Sequence, residues 1–450
     1  MRINPKQLGY GQLPQRLPIH EDVIQMPLPA PRLYRWLQEV PVYPDQMIVP
    51  SMNILKSNWK GTHMTRLCCI AIDEMSIDPR YCYDHNQDRI FGGEKNVTVI
   101  TVRGLCYAWK QVIYFTFDSS ISAVTLRNII RQLYEVHAEV VSVTSDMGSK
   151  NQAMWKELGV GRVIGGVIES TRFKHPNTGN NLGVPDLPHL VKLLRNHTMD
   201  NGITIEEGVE LNKDFFRDLI MKQNEEFKLT FKLTHKHINC KGKQRQAVGP
   251  AFNVFSRPVA EAATFIYPHN ETKGKIAAFI QLVSDFCDLT NCRSKVKTSN
   301  PYTSPYGTYQ AEQDELLERA FTAFSTMVVG QRKRRTYAPF QKGLLMFIIS
   351  LRGLLNDVKQ PPANAKFVIP KNMNQDLLEN SFSRLRSFGG FHQNPNAAEV
   401  GHRIKKLLLS WNFVTPRGTP VAIEPNENDN SDCITFIHAK SSEKPPCAGI

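Results

Sequence analysis

The sequence predicts an α/β fold built on a mixed sheet. Between residues 64 and 200, β-branched and aromatic runs alternate with stretches of helical spacing. One run, LCCIAID at 67–73, is apolar at successive positions, as a strand covered on both faces must be.

The elements follow in order. After 67–73, NVTVITVRG (96–104) alternates polar and apolar residues, and KQVIYFTFD (110–118) is rich in β-branched and aromatic side chains, so both read as strands. SAVTLRNIIRQLYEVHA (122–138) places its apolar residues at helical spacing. EVVSVTSD (139–146) is another strand ending on an acid, and GSKNQAMWKELG (148–159) is a helix closed by Gly159. GRVIGGVI (161–168) is the expected fifth strand, followed by a helix in DLPHLVKLLRN (186–196). A three-stranded meander, then two strands joined by helical crossovers, is the β-β-β-α-β-α-β-α order of the ribonuclease H fold, in which the first and fourth strands are neighbours.

That order puts Asp73 and Asp146 at adjacent strand ends on one edge of the sheet. Two close carboxylates raise each other's pKa unless a cation lies between them. Mg²⁺ suits such a pair, because it takes oxygen ligands and needs only one or two protein carboxylates. A strand-end Asp equally caps a following turn, and Glu74 is readable as a solvent-facing side chain. A further acid lies in NMNQDLLENSFSRLRSFGG (372–390), which reads as a helix with Leu378, Phe382 and Leu385 on its buried stripe. Asp376, Glu379, Ser383 and Arg386 line its other face, which periodicity alone reads as ordinary surface.

Composition frames these elements. A chain of 450 residues can bury a large core and divides into two or three domains. The 55 basic and 42 acidic residues leave a formal charge of +13, which favours a polyanionic partner such as nucleic acid over an acidic surface. Nine cysteines lack paired metal-ligand spacing and the density of a disulfide scaffold, so they read as reduced intracellular thiols. His237 and Cys240 in HKHINC can begin a zinc site, but no second pair follows. No apolar run reaches the roughly 18 residues of a membrane span, and the first twenty residues lack the apolar core of a signal peptide, so a soluble protein is expected. Pro-rich residues 1–50 hold one helical pattern, RLYRWLQEV (32–40), and the chain loses apolar periodicity from Thr415. Neither a phosphate-binding P-loop nor a Ser/His/Asp or Cys/His arrangement is present.

IAIDEM, VTSDMGSKNQAMWKELG, DLPHLVKLLRNH, PFQKGLL and MNQDLLENSFSRLRSFGG occur in order along the chain. In order and wording they resemble the P-element transposase family, including its vertebrate relatives with THAP zinc fingers. The likeness runs from about Leu33 to Lys406.

The resemblance implies a ribonuclease H-like domain interrupted by a large, mainly helical insertion. Spacing agrees, since 73 residues separate Asp73 from Asp146 but 233 separate Asp146 from Glu379. The implied organisation is a helix-turn-helix remnant and linker at 1–50, the first part of the ribonuclease H-like domain at 51–198, a GTP-binding-type insertion at 199–350, the C-terminal part of the first domain at 351–412, and a disordered tail at 413–450. By carry-over, Asp73, Asp146 and Glu379 are the catalytic acids and hold Mg²⁺ or Mn²⁺ for phosphodiester hydrolysis and strand transfer, with no protein nucleophile. The guanine nucleotide, a cofactor for assembling transposon ends, falls to Lys232, Val248, Ser256, Asp288 and Asp376. Ser284 and Cys287 depart from the family, which places Asn and Phe there. The family's N-terminal THAP domain, coiled coil and acidic C-terminal domain are not seen in this sequence, which therefore looks like a truncated or domesticated copy. The implied partners are DNA, as transposon ends and target, and further copies of the chain or longer transposase subunits. The implied location is the nucleus, with QRKRRTYAP (331–339) as a candidate import signal and, like HRIKKLLLSW (402–411), a candidate phosphate contact. The alternative function is a domesticated, non-catalytic DNA-binding or regulatory derivative.

Overall fold

The computed structural model describes residues 40–410 apart from 59–62, 86, 108, 224–228, 231, 331–336 and 391. Most of the 32–40 helical pattern, the basic stretch 331–336 and the tail from 411 therefore lie outside the described residues.

The centre is a six-stranded mixed sheet. Its strands are β1 (Leu67–Ser76), β2 (Asn96–Gly104), β3 (Lys110–Phe117), β4 (Glu139–Ser145), β5 (Arg172–His175) and β6 (Gly179–Pro185). The spatial order is β3-β2-β1-β4-β6-β5. β1, β2 and β3 form an antiparallel meander. β4 runs parallel to both β1 and β6, so the first and fourth strands are neighbours as the sequence predicts.

The helices between the strands begin and end where the local chemistry directs. Helix α1 (Val49–Asn58) precedes the sheet, and Ser51 within it donates to the carbonyl of Val112 on β3 at 2.6 Å. Helix α2 (Ala123–Glu135) starts at Ser122, whose Oγ accepts from the amide of Thr125. Helix α3 (Ser149–Glu157) is followed by Gly159 at φ +78°, the left-handed stop read from sequence. Helix α4 (Leu187–Asn201) is capped by Asp186.

The expected fifth strand at 161–168 is corrected. Val163–Ile164 and Val167–Ile168 form a separate two-residue hairpin, because Gly165 and Gly166 both take positive φ and turn the chain back on itself. The parallel position beside β4 belongs to β6, whose sequence GNNLGVP is poor in β-formers.

Residues 203–330 are mainly helical, with α5 (Lys213–Met221), α6 (Arg257–Ile266), α7 (Glu271–Thr290) and α8 (Gln310–Thr326). Their core centres on Phe286 of α7, fully buried edge-to-face against Phe324 of α8. Helix α9 (Pro339–Lys359) then leads back to the sheet: its Phe347 also meets Phe286 edge-to-face, and Ser350 donates to the carbonyl of Gly183 on β6.

Two last helices, α10 (Asp376–Ser387) and α11 (Ala397–Ser410), cover one face of the sheet. Leu378, Phe382 and Leu385 of α10 are buried with Ala71, Met75, Val97 and Val99, whereas Ile70, Ile72, Ile100 and Val102 pack into the core of the opposite face with α2. Strand side chains alternate between faces, so Asp73, in step with Ala71 and Met75, lies on the face that α10 covers.

Candidate functional site

β1 extends beyond the predicted end at Asp73, pairing with β2 as far as Ser76. Its pairing with β4 stops earlier, at Ile72 with Ser145. Asp73, still paired with Val99 of β2, and Asp146, the first residue past the end of β4, thus follow directly on the last paired residues of two adjacent parallel strands. The separation of the sheet at this point is what opens an edge for two carboxylates.

Asp73 Oδ1 accepts from the amide of Glu74 at 2.8 Å. Burial raises the Asp73 carboxyl to about 7; the Glu74 hydrogen bond and the charge of His189 oppose the rise, and the charges of Asp146 and Glu379 add to it. Asp146 Oδ1 accepts from Gly148 N at 2.9 Å and from Asn151 Nδ2 at 2.6 Å, so the capping role weighed from sequence is present and fixes the carboxylate. Glu74 faces solvent in an ion pair with Lys150 at 3.1 Å.

Glu379 is brought to the same strand ends by the chain just before its helix. Asn372 accepts from Arg103 and donates to the carbonyl of Leu105, the carbonyl of Met373 accepts from Thr144 of β4 at 2.6 Å, and Gln375 donates to the carbonyl of Ile72. Gln375 N in turn donates to Asp186 Oδ1 at 2.8 Å. From the first turn of α4, His189 Nδ1 lies 2.7 Å from Asp186 Oδ2 and 3.9 Å from Glu379 Oε1. Burial pushes the Glu379 carboxyl upward, opposed by His189. Burial would lower the His189 pKa, but the hydrogen bond and charge of Asp186 outweigh it and the net shift is upward. Lys192, one turn on and 6 % exposed, is held below the usual lysine range by burial, against the pull of Glu379, Asp186, Asp146 and Asp73.

The structure therefore gathers Asp73, Asp146 and Glu379 at one end of the sheet, with Asp186, His189, Lys192 and Gln375 around them. Hard carboxylate oxygens at one edge are the donor chemistry that Mg²⁺ takes. No group of three or more His, Cys, Asp or Glu side chains already spaced to hold a metal ion occurs among the described residues. The four surrounding residues were not singled out from sequence. For three of them the signal is present in DLPHLVKLLRN, where Asp186, His189 and Lys192 recur every third position among apolar residues; Gln375 lies outside it.

A second candidate site lies in the helical region. A pocket of about 250 Å³ is lined by Lys232, Ser256 and Asp288 of the sequence-derived set, by Ser284 and Cys287, and by Phe252. Val248 and Asp376 are not in that lining. Val248 precedes the short helix Gly249–Val254, and Asp376 opens α10 with Lys371 Nζ 3.4 Å away. Burial raises the Asp288 carboxyl, with Asp285 adding to the rise and Arg257 opposing it. Phe252 supplies an aromatic ring to the pocket, although position 287 does not.

The basic run at 402–406 is built into the fold. Arg403 and Lys405 are 5 % and 6 % exposed. Arg403 donates to the carbonyls of Leu385 and His392 and pairs with Glu399. Arg403 braces α11 against the end of α10, and both residues are buried away from any phosphate. Among the described residues no helix is long and apolar enough to cross a membrane.

A six-stranded mixed sheet with acids at the ends of its central strands, followed by a helical region and closed by two further helices, defines a ribonuclease H-like domain carrying an insertion. The comparisons agree with this class and narrow it. Residues 49–159 match the family described as the TNP-like RNase H N-terminal domain, and residues 188–305 match the TNP-like GTP-binding insertion domain. The chain is 32% identical over 393 residues to the Transposable element P transposase of Drosophila melanogaster, covering 85% of this chain and 50% of that protein. It superposes on the solved Drosophila P element transposase strand transfer complex with a TM-score of 0.78 at 29% identity, covering 87% of this chain and 86% of that one. The chain belongs to the P-element transposase family. It spans about half the length of the curated relative it matches.

Proposed function

We propose that the chain carries the DNA-cleaving and strand-transferring core of a P-element-like transposase, with Asp73, Asp146 and Glu379 as its metal-binding catalytic acids. The observation that carries this reading is the pairing of Ile72 with Ser145, which seats Asp73 beside Asp146 under the helix that bears Glu379. The three carboxylates would hold Mg²⁺ or Mn²⁺, which when bound supplies charge stabilisation for in-line attack on a phosphodiester. Asn151 and the Gly148 amide fix the orientation of Asp146, Glu74 N does the same for Asp73, and His189 sits against Glu379.

On this reading, residues 51–198 and 351–412 make up the catalytic domain and 199–350 the insertion. The pocket of Lys232, Ser256 and Asp288 takes GTP: the Asp288 carboxylate can accept both N–H donors of the guanine edge, and Lys232 supplies a point charge for phosphate. At about 250 Å³ the pocket suits the base and ribose, with phosphates projecting outward. The partner is DNA, in keeping with the relative solved as a strand transfer complex, and the working location is the nucleus.

The test is incubation of purified protein with supercoiled plasmid and with duplex carrying candidate transposon ends, in Mg²⁺ or Mn²⁺, beside Asp73→Asn. Nicking by the wild type that is lost in the variant supports the reading. Equal nicking by both, or none by either, supports the non-catalytic DNA-binding or regulatory derivative.

A further inference from the structure

Asp186 and Gln375 are 189 residues apart in sequence and in contact in the fold. Asp186 is 1 % exposed, and both its oxygens are committed: Oδ1 to the amide of Gln375, Oδ2 to the amide and the Nδ1 of His189. A carboxylate so engaged is not placed to coordinate an ion, yet it stands next to three that are proposed to do so. Gln375 is fully buried and immediately precedes α10. Its Nε2 donates to the carbonyl of Ile72, one residue before Asp73. Its Oε1 is buried with no hydrogen-bond partner among the described residues. A side chain kept for packing alone would be apolar and would avoid that cost.

These bonds form one chain from α4 through the start of α10 to the end of β1. Glu379 is four residues after Gln375, and its own amide donates to the carbonyl of Gln375. Two side-chain hydrogen bonds at Gln375 therefore tie the start of the Glu379 helix to Asp186 and to the residue before Asp73, beside the anchors that Asn372 and Met373 make. His189, held by Asp186, lies 3.9 Å from the Glu379 carboxylate.

We propose that Asp186 and Gln375 are positioning residues, which set the reach of Glu379 toward Asp73 and so tune metal affinity without contacting the metal. This rests on the reading of Asp73, Asp146 and Glu379 as metal ligands. Outer partners of ligating groups typically change metal affinity by roughly 10- to 100-fold.

The experiment measures Mn²⁺ dissociation constants, by electron paramagnetic resonance of free Mn²⁺, for the full chain and for Glu379→Gln, Asp186→Asn, Gln375→Met and the doubles of the latter two with Glu379→Gln. Gln375→Met preserves length and volume, so it carries the test if Asp186→Asn, which disturbs a helix cap, fails to fold. The expected result is a loss of about 10-fold or more in each positioning variant, with each double no weaker than Glu379→Gln alone, because both changes act through one carboxylate. Wild-type affinity in the positioning variants, or losses that multiply with that of Glu379→Gln, would overturn the proposal while leaving the ligand assignment standing. Wild-type affinity in Glu379→Gln itself overturns the ligand assignment and the proposal with it.

Discussion

Ile72 and Ser145 are the last paired residues of two neighbouring parallel strands, and the acids that follow them, Asp73 and Asp146, leave the sheet side by side. Position on the ladder separates these acids from Glu74, which points to the other face and pairs with Lys150 in solvent. Under the proposed function, Asp73→Asn, Asp146→Asn and Glu379→Gln each reduce metal-dependent DNA nicking by more than about 100-fold, since even outer-shell changes cost 10- to 100-fold. Glu74→Gln stays within roughly 3-fold of wild type, as expected for an exposed ion pair. Initial rates on plasmid, with circular dichroism to confirm folding, check both. Comparable losses at Glu74 would remove the distinction that the register makes.

Asp73 also predicts a pH dependence. Burial raises its folded-state pKa to about 7, above the roughly 3.9 of an unfolded chain. The stability linked to this proton is therefore complete below about 3.9 and is lost as pH rises through about 7. Asp73→Asn lacks the titration. In chelator, the stability of the variant relative to wild type should rise between pH 5 and pH 8, by on the order of 1–3 kcal/mol after allowing for partial solvent access. The same proton competes with metal, so Mn²⁺ affinity of the wild type should weaken below pH 7, by up to about 10-fold per pH unit. Denaturant melts and Mn²⁺ titrations at both pH values measure these effects. A flat difference would show that Asp73 ionises as an ordinary surface carboxylate.

The pocket of the insertion makes separable predictions. Asp288→Asn replaces one of two acceptors with a donor facing the guanine edge, so GTP affinity should fall by roughly 10- to 100-fold and preference over ATP should shrink. Phe252→Ala removes the aromatic surface available for stacking and should cost about 1 kcal/mol. Lys232→Ala should weaken GTP more than guanosine, because its charge acts on phosphate. Calorimetric titration of the three ligands distinguishes these. GTP binding unchanged in all three variants would place the nucleotide elsewhere on the chain.

What was legible in the sequence is what repeats at short range. The continuous apolar run of β1, the helical spacing of 122–138, the stop at Gly159 and the stripe of Leu378, Phe382 and Leu385 all fall where local patterning puts them. The acids of the candidate site were found through strand order and through resemblance, because no local rule links residues 233 positions apart. Gln375 is silent in the sequence because its role consists of contacts with Asp186 and with a strand carbonyl, which leave no periodic trace. The basic run at 402–406 misled for the converse reason: charge visible in sequence does not tell whether neighbouring carbonyls will bury it, as those of Leu385 and His392 bury Arg403.

The misplaced strand has an explanation that can be tested at one residue. VIGGVI is β-branched and reads as a strand, whereas GNNLGVP does not, yet the latter occupies the sheet. Packing overrides propensity here. At Gly183, in the middle of β6, an added Cβ would lie 2.7 Å from Val160 Cγ1 and 3.0 Å from Trp155 Cζ3. Both neighbours are buried, with Trp155 further fixed by its indole donating to Ser145, so the indole of α3 rests on bare backbone beside the strand end that leads to Asp146. Gly183→Ala should therefore destabilise the protein by roughly 1–3 kcal/mol, the usual cost of overpacking a filled core. If nicking depends on the strand end, it should lose more activity than a similarly destabilising core change remote from the site. Equilibrium unfolding and plasmid nicking, measured beside Phe324→Leu in the insertion core, provide the comparison. A Gly183→Ala protein as stable as wild type would mean that Trp155 moves freely, and that β6 holds its place for reasons other than this contact.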